Sequence, residues 1–122
     1  MSILETAIQD CLKYETSFCK FISANDVGAT GAHQAGIYIP LNCWKILFDS
    51  PGNKGQNKDR FVTIKWQSDF ETDSRFIYYG QKTRNEYRIT RFGRGFPYLK
   101  DEYAGSLFVL VKVSFEYYRA YI

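Results

Sequence analysis

The sequence predicts a mainly β domain, an antiparallel, barrel-like sheet accompanied by short helices. Short strand-forming segments separated by turn-forming clusters recur along the chain, and two helical segments interrupt them without the strand–helix alternation typical of parallel sheets. The chain has 122 residues, of which 45% are hydrophobic and 18% aromatic, enough to build a core. This length fits one domain spanning residues 1–122.

Two segments are predicted to be helical. Ser2 and Glu5 form an S-x-x-E capping box at the start of residues 3–13, where apolar residues recur at three- and four-residue spacing. We expect this helix to cover one end of the sheet. Pro40 precedes a second short helix in LNCWKILF, and three of its apolar residues are expected in the core: Trp44, Leu47 and Phe48.

The strand-forming segments are, in chain order, residues 17–22, GIYIP at 36–40, and residues 61–66, 75–79, 86–92, 106–114 and 115–122. Two long loops separate them. Residues 23–36 contain three glycines and no periodicity, and a loop of this length in a compact domain is typically functional. Residues 49–59 are interpreted as a solvated, turn-rich loop in which Lys54 and Lys58 are simply exposed.

Composition excludes several classes of protein. No run reaches the roughly 18 apolar residues of a membrane helix, and the acidic N-terminus is not a secretory signal, so we expect a cytoplasmic protein with no membrane partner. His33 is the only histidine, and the cysteines form no C-x-x-C pair, which excludes structural zinc. The simplest interpretation is three buried, reduced thiols: Cys11, Cys19 and Cys43.

Few residue patterns in the sequence indicate a catalytic site. A triad of Ser23, Asp26 and His33 can be written down, but the spacing offers no nucleophile elbow. The alternating carboxylates at 69, 71 and 73 resemble an acidic hairpin tip more than a two-metal site. No nucleotide motif is present, so we predict a binding module without cofactor or small-molecule substrate. A small metal-dependent nuclease using Asp69, Glu71 and Asp73 is kept as an alternative.

The positive charge is concentrated in one segment. The net charge is +3, but residues 82–94 alone carry +4, which indicates an anionic partner. Five basic residues supply it: Lys82, Arg84, Arg88, Arg91 and Arg94. Strand alternation would place Glu86, Arg88, Thr90 and Phe92 on one face, opposite Tyr87, Ile89 and Arg91. Glu86 could accept a hydrogen bond from cytosine or simply pair with a neighbouring arginine, and composition leaves both open.

The 23–36 loop offers a complementary set of polar side chains. Such groups hydrogen-bond base edges and phosphates, and glycines allow the backbone to approach closely. The candidates are Lys20, Ser23, Asn25, Asp26, Thr30, His33 and Gln34. The alternative is that Asn25 and Asp26 only form a turn and that His33 packs on the scaffold.

SANDVGATGAHQAGIYIP and GQKTRNEYRITRFGRG resemble the two DNA-binding arms of the N-terminal effector-binding domain of EcoRII-type (Type IIE) restriction endonucleases. The resemblance implies a seven-stranded open barrel, the DNA-binding pseudobarrel, similar to plant B-three domains. It also implies a major-groove grip on double-stranded CC(A/T)GG by an N-arm, residues 20–36, and a C-arm, residues 81–95. Cleavage would belong to a separate nuclease domain, expected C-terminal to this chain in a bacterial or phage enzyme, and Mg²⁺ would be needed only there.

Carried over to this chain, the resemblance assigns base reading mainly to Asp26, His33, Glu86 and Arg88. It leaves phosphate contacts to Lys20, Lys82, Arg84, Arg91 and Arg94, with Asn85 as a further arm residue. The family pattern has a basic residue where Phe21 stands and a lysine where Tyr87 stands, so Tyr87 is expected either to use its hydroxyl on DNA or to pack. The aromatic content keeps a single-stranded nucleic-acid-binding barrel as another alternative.

Overall fold

A computed structural model describes residues 1–28 and 36–122. The helix α1 spans Ile3–Lys13, and the strands are β1 (Thr16–Phe21), β2 (Ile37–Ile39), β3 (Lys58–Lys65), β4 (Glu71–Tyr79), β5 (Glu86–Thr90), β6 (Leu107–Lys112) and β7 (Tyr117–Tyr121). Short 3₁₀ helices occupy Leu41–Ile46, Gln67–Asp69 and Asp101–Tyr103. No helix in these described ranges is long and apolar enough to cross a bilayer.

The strands form one seven-stranded sheet in the order β1-β6-β7-β3-β4-β5-β2, which curls into an open barrel. This confirms the mainly β class and the pseudobarrel architecture. The sheet is mixed rather than purely antiparallel, because β7 runs parallel to β3, with Thr63 opposite Tyr117. The β6–β7 hairpin inserts between β1 and β3, and nothing in a strand's own composition specifies which non-adjacent strand it will join.

Polar residues that are buried explain why β4 is longer than its apolar pattern predicts. Thr72 and Ser74 face the interior and satisfy one another across 2.8 Å. The indole N–H of Trp66 donates to the Thr72 hydroxyl at 2.9 Å, and Ser74 donates to the carbonyl of Arg91 at 2.9 Å. Because each hydroxyl has partners, β4 can begin at Glu71 rather than at residue 75.

Aromatic rings fill the barrel around Trp66, which is almost completely buried. Its ring centroid lies 4.7 Å from that of Phe96 and 5.9 Å from that of Phe108, which stands on β6. Phe92 stacks on Phe96 with centroids 5.0 Å apart. Of the residues expected in the core from the second helix, Leu47 and Phe48 are buried and Trp44 is half-buried against them.

Helix α1 begins with the predicted capping box: the Ser2 hydroxyl accepts from the Glu5 amide, and the Glu5 carboxylate accepts from the Ser2 amide. The helix packs on β6 and β7 through Ala7. Its buried Asp10 accepts hydrogen bonds from the Tyr121 hydroxyl and from Arg119 Nη1, the latter at 3.2 Å. Burial, followed by the hydrogen bond to Asp10, raises the pKa of Tyr121 above its ordinary value.

Tyr118 ties the barrel to the first 3₁₀ helix. Its hydroxyl donates to the Ile46 carbonyl at 2.7 Å and accepts from Arg60 Nη2 at 2.8 Å. Burial raises the pKa of Tyr118 to about 12, although the Arg60 charge works in the opposite direction.

The expectation of three buried thiols is wrong. Cys19 is exposed on β1, and Cys11 and Cys43 are half-buried. The reason for Cys19 is strand alternation: residues 16, 18 and 20 point inward, and the residues between them point to solvent.

Candidate nucleic-acid interface

The pairing of β2 with β5 brings the two polar segments together. Tyr38, just after the N-arm loop, lies directly opposite Arg88 in the C-arm strand. β1, which leads into the N-arm, is at the other edge of the sheet, but Lys20 on β1 donates to the Tyr38 carbonyl at 3.0 Å. The barrel seam between β1 and β2 therefore lies beside the C-arm strand.

Asp26 holds this seam together. Its fully buried carboxylate forms an ion pair with Lys20 at 2.7 Å and accepts the backbone amides of Ser23 and Tyr38, each at 3.0 Å. The Asp26 amide in turn donates to the Ser23 hydroxyl at 3.1 Å. Both carboxylate oxygens are therefore occupied inside the free domain, and a contact between Asp26 and a base stays a prediction.

An arginine–glutamate–arginine network spans β5 and the turn before it. Arg84 Nε donates to Glu86 Oε1 at 3.0 Å, and Arg88 Nε donates to Glu86 Oε2 at 3.3 Å. The Arg84 side chain is 37% exposed, whereas the Arg88 side chain is 10% exposed and also donates to the Gly36 carbonyl. In the free domain Glu86 pairs with its neighbouring arginines, as one of the two interpretations expected. A contact between Glu86 and a base stays a prediction.

Aromatic rings accompany the cations of this surface. The Arg84 guanidinium lies 3.6 Å from the Tyr79 ring centroid, and Arg88 lies 5.9 Å from that of Tyr38. Arg91 lies 5.1 Å from the ring of Phe61, which is 53% exposed. None of these three rings is among the predicted site residues, although each lies at an outward position of a strand, which strand alternation alone would indicate.

The alternation of the C-arm strand, β5, ends at Thr90, two residues earlier than expected. Glu86, Arg88 and Thr90 share a face as predicted, but Arg91 adopts a left-handed backbone with φ of 65°. That turn directs Arg91 to solvent and sends Phe92 into the core. The placement of Phe92 on the polar face, and of Arg91 on the core face, was therefore wrong.

Tyr87 packs in the core, which decides between the two roles expected for it. It is buried, and its hydroxyl accepts the Gly52 amide at 2.7 Å. Its ring lies 4.9 Å from that of Tyr78 and 5.9 Å from that of Phe48. A position on the inward face of β5 leaves Tyr87 no route to a ligand on the outer surface.

The remaining candidates divide by exposure. Six are exposed or nearly so on the outer surface: Ser23, Lys82, Asn85, Arg91, Arg94 and, in part, Arg84. Lys20, Asn25 and Glu86 are half-buried. Thr30, His33 and Gln34 lie outside the described residues. Phe21, the departure from the family pattern, is 70% exposed at the end of β1.

The acidic residues weighed as a nuclease site are spread along one hairpin. Asp69 lies in the turn and pairs with Lys65 at 3.2 Å, whereas Glu71 and Asp73 point outward from β4. Within residues 1–28 and 36–122, no three His, Cys, Asp or Glu side chains converge to hold a metal ion.

The fold and this surface define a class of protein, a seven-stranded pseudobarrel domain with a basic, aromatic-lined surface beside its seam. The chain belongs to the EcoRII N-terminal family, since the family described as "Restriction endonuclease EcoRII, N-terminal" matches residues 12–121. It is also 40% identical over 97 residues to the Type II restriction enzyme EcoRII of Escherichia coli. That match covers 74% of this chain and 23% of the relative, so the chain spans about a quarter of that enzyme's length. The resemblance inferred from the two arm motifs is confirmed.

Proposed function

We propose that this chain binds double-stranded DNA sequence-specifically through the major groove, as the effector-binding or target-recognition domain of a restriction endonuclease, with CC(A/T)GG as its site. The observation that carries the proposal is the Arg84–Glu86–Arg88 network at the start of β5, between the barrel seam and the exposed cations of the C-arm. Arginine presents a planar fork that suits guanine O6 and N7, and a carboxylate can accept from cytosine N4. The carboxylate also holds both guanidinium groups in one orientation, which base reading requires and contact with phosphates alone does not.

In this proposal Glu86 and Arg88 read bases, and the exposed cations contact phosphates. Arg84, expected from the resemblance to contact phosphate, is reassigned to base reading because its guanidinium is held by Glu86 and lies on the Tyr79 ring. Lys82, Arg91 and Arg94 suit the second role because their charged groups are on the surface and φ at Lys82 and Arg91 directs them away from the strand. Asp26 acts indirectly, by joining β1 and β2 at the seam that flanks the 23–36 loop.

We assign no cleavage to this chain. Its share of the EcoRII enzyme's length leaves room for a separate nuclease domain in the whole protein, and Mg²⁺ would serve that domain. Incubating the chain with a CC(A/T)GG duplex and Mg²⁺ tests this assignment. Cleavage that disappears on Asp69→Ala would instead support the small-nuclease alternative.

The binding experiment is a competition gel shift at one stated salt concentration. A labelled CC(A/T)GG duplex is challenged with unlabelled duplexes changed at each base pair, and with single strands. The proposal expects competition from the cognate duplex alone. Equal competition by scrambled duplex would overturn sequence-specific reading, and preferential competition by single strands would favour the stacking alternative.

Two arginine variants test the division of roles. Arg88→Ala should cost about 1–3 kcal/mol on the cognate duplex and relax discrimination at one base pair. Arg94→Ala, the matched control outside the strand, should weaken all duplexes alike and reduce the salt slope by about one. The same uniform loss for both variants would contradict the roles assigned. Thermal unfolding of each variant separates a loss of binding from a loss of folding.

A further inference from the structure

A loop expected to be merely solvated packs against the C-arm. This brace loop, residues 50–57, precedes β3, and the C-arm turn, residues 80–85, joins β4 to β5. Lys54 Nζ donates to the carbonyls of Gly80 at 3.1 Å and Lys82 at 2.5 Å. The Gly80 amide donates to Asn57 Oδ1 at 2.9 Å, and the Gly55 amide donates to the Gly80 carbonyl at 2.7 Å.

The two segments are in such close contact that side chains are excluded between them. A Cβ on Gly80 would come within 2.4 Å of the Gln56 carbonyl oxygen, and a Cβ on Gly52 within 2.3 Å of the Tyr78 ring. The Tyr78 hydroxyl crosses to Asn85 Oδ1 at 2.5 Å. The start of the C-arm turn, at Gly80, is therefore joined directly to the brace loop. Its end, at Asn85, is joined to Tyr78, the ring on which the brace loop packs through Gly52.

The contacts of Lys54 also stabilise an unusual backbone conformation at Lys82. Lys82 adopts a left-handed backbone, with φ of 56°, which is unfavourable for a residue with a side chain. Its carbonyl is one of the two that Lys54 holds. The brace loop therefore fixes the conformation that directs Lys82 outward and leads the chain into Arg84 and Glu86.

We propose that Lys54 and Asn57 are positioning residues of the DNA site: they set the C-arm turn in its reading geometry and do not themselves contact DNA. This inference rests on the proposed function. Lys54 Nζ already donates to two backbone carbonyls of the C-arm turn, so its charge stabilises this turn and is not assigned to a phosphate. Asn57 carries no charge, and its Oδ1 accepts the Gly80 amide.

The test measures affinity of the chain for the cognate and a scrambled duplex over a series of salt concentrations. Three variants are compared: Lys54→Met, Asn57→Ala and the control Lys13→Met, which removes one exposed charge from α1. We expect Lys54→Met and Asn57→Ala each to lower cognate affinity about tenfold, equivalent to about 1.4 kcal/mol. Affinity for scrambled duplex and the salt slope should stay close to the wild-type values, because the flexible side chain of Lys82 can still reach a phosphate from a displaced turn, whereas base reading needs one geometry. Lys13→Met should change neither affinity.

Each alternative has its own signature. If Lys54→Met weakens both duplexes equally and reduces the salt slope by about one while Asn57→Ala has no effect, Lys54 contacts phosphate and the proposal is overturned. A wild-type chain that discriminates between the duplexes, with variants that discriminate equally well, also overturns it. A wild-type chain that does not discriminate overturns the proposed function itself. Faster hydrogen exchange of the amides at 80–85 in both variants would support the brace directly.

Discussion

Replacing Asp26 with alanine should destabilise the domain strongly. The change removes the acceptor of three donors: Lys20 Nζ at 2.7 Å, and the amides of Ser23 and Tyr38 at 3.0 Å. Removing one partner of a buried ion pair costs about 3–5 kcal/mol, and each orphaned buried amide costs about 1–3 kcal/mol. Lys20 keeps the Tyr38 carbonyl and can turn toward solvent, which avoids most of the ion-pair cost. The two orphaned amides, at about 2 kcal/mol each, leave an expected loss of about 4 kcal/mol.

Urea unfolding measures this loss, and a matched variant shows whether it belongs to the seam. Asp59→Ala removes an aspartate whose Arg75 partner is at 2.6 Å, but both side chains are about one third exposed, so the cost should be about 0–1 kcal/mol. Lys20→Met combined with Asp26→Ala should cost less than the sum of the single changes, because the two groups are coupled. Equal unfolding free energies for Asp26→Ala and Asp59→Ala would refute the role given to Asp26.

Three further predictions concern other groups. The pKa of Tyr118 is about 10 in the unfolded chain and about 12 in the folded one, so folding favours the protonated phenol. The stabilisation of the folded state by this phenol is complete below pH of about 10 and is lost as the pH rises through about 12. The loss amounts to about 3 kcal/mol of unfolding free energy. Urea midpoints measured against pH should therefore fall less steeply for Tyr118→Phe than for the wild type. Identical pH profiles would contradict the raised pKa of Tyr118. Arg84→Lys keeps the charge but loses the planar fork and the stack on Tyr79, so DNA discrimination should fall in a gel shift while the salt slope is unchanged. A thiol reagent should label Cys19 before the half-buried thiols, an order that peptide mapping checks and that Cys19→Ser should abolish.

The features that the sequence predicts well are local. The capping box involves groups three residues apart, so the bounds of α1 are confirmed at Ile3–Lys13. The strand segments likewise recur near their expected positions because each carries its own alternation. The face shared by Glu86 and Arg88 is a consequence of the same rule.

The features that the sequence did not predict depend on contacts between residues that are distant along the chain. The role of Asp26 requires the Tyr38 amide, and nothing in the pattern of residues 23–36 distinguishes a turn-forming aspartate from one that closes a barrel. The brace loop has the composition of a solvent-exposed loop, yet its contacts lie some 25 residues further along the chain. Tyr87 and Arg88 are adjacent, and only the packing against Phe48 and Gly52 shows which of them is inside.

The pairing of β1 with β6 has a consequence for biosynthesis. Thr16 faces Lys112 and Phe21 faces Leu107, so β1 has no neighbour in the described sheet until the chain has been synthesised at least as far as residue 107. Contacts this far apart in sequence make folding slow, because a long loop must close before they form. Nascent chains that stop before residue 107 must therefore carry an unpaired β1, and the order of synthesis makes the β6–β7 hairpin the element that completes the barrel.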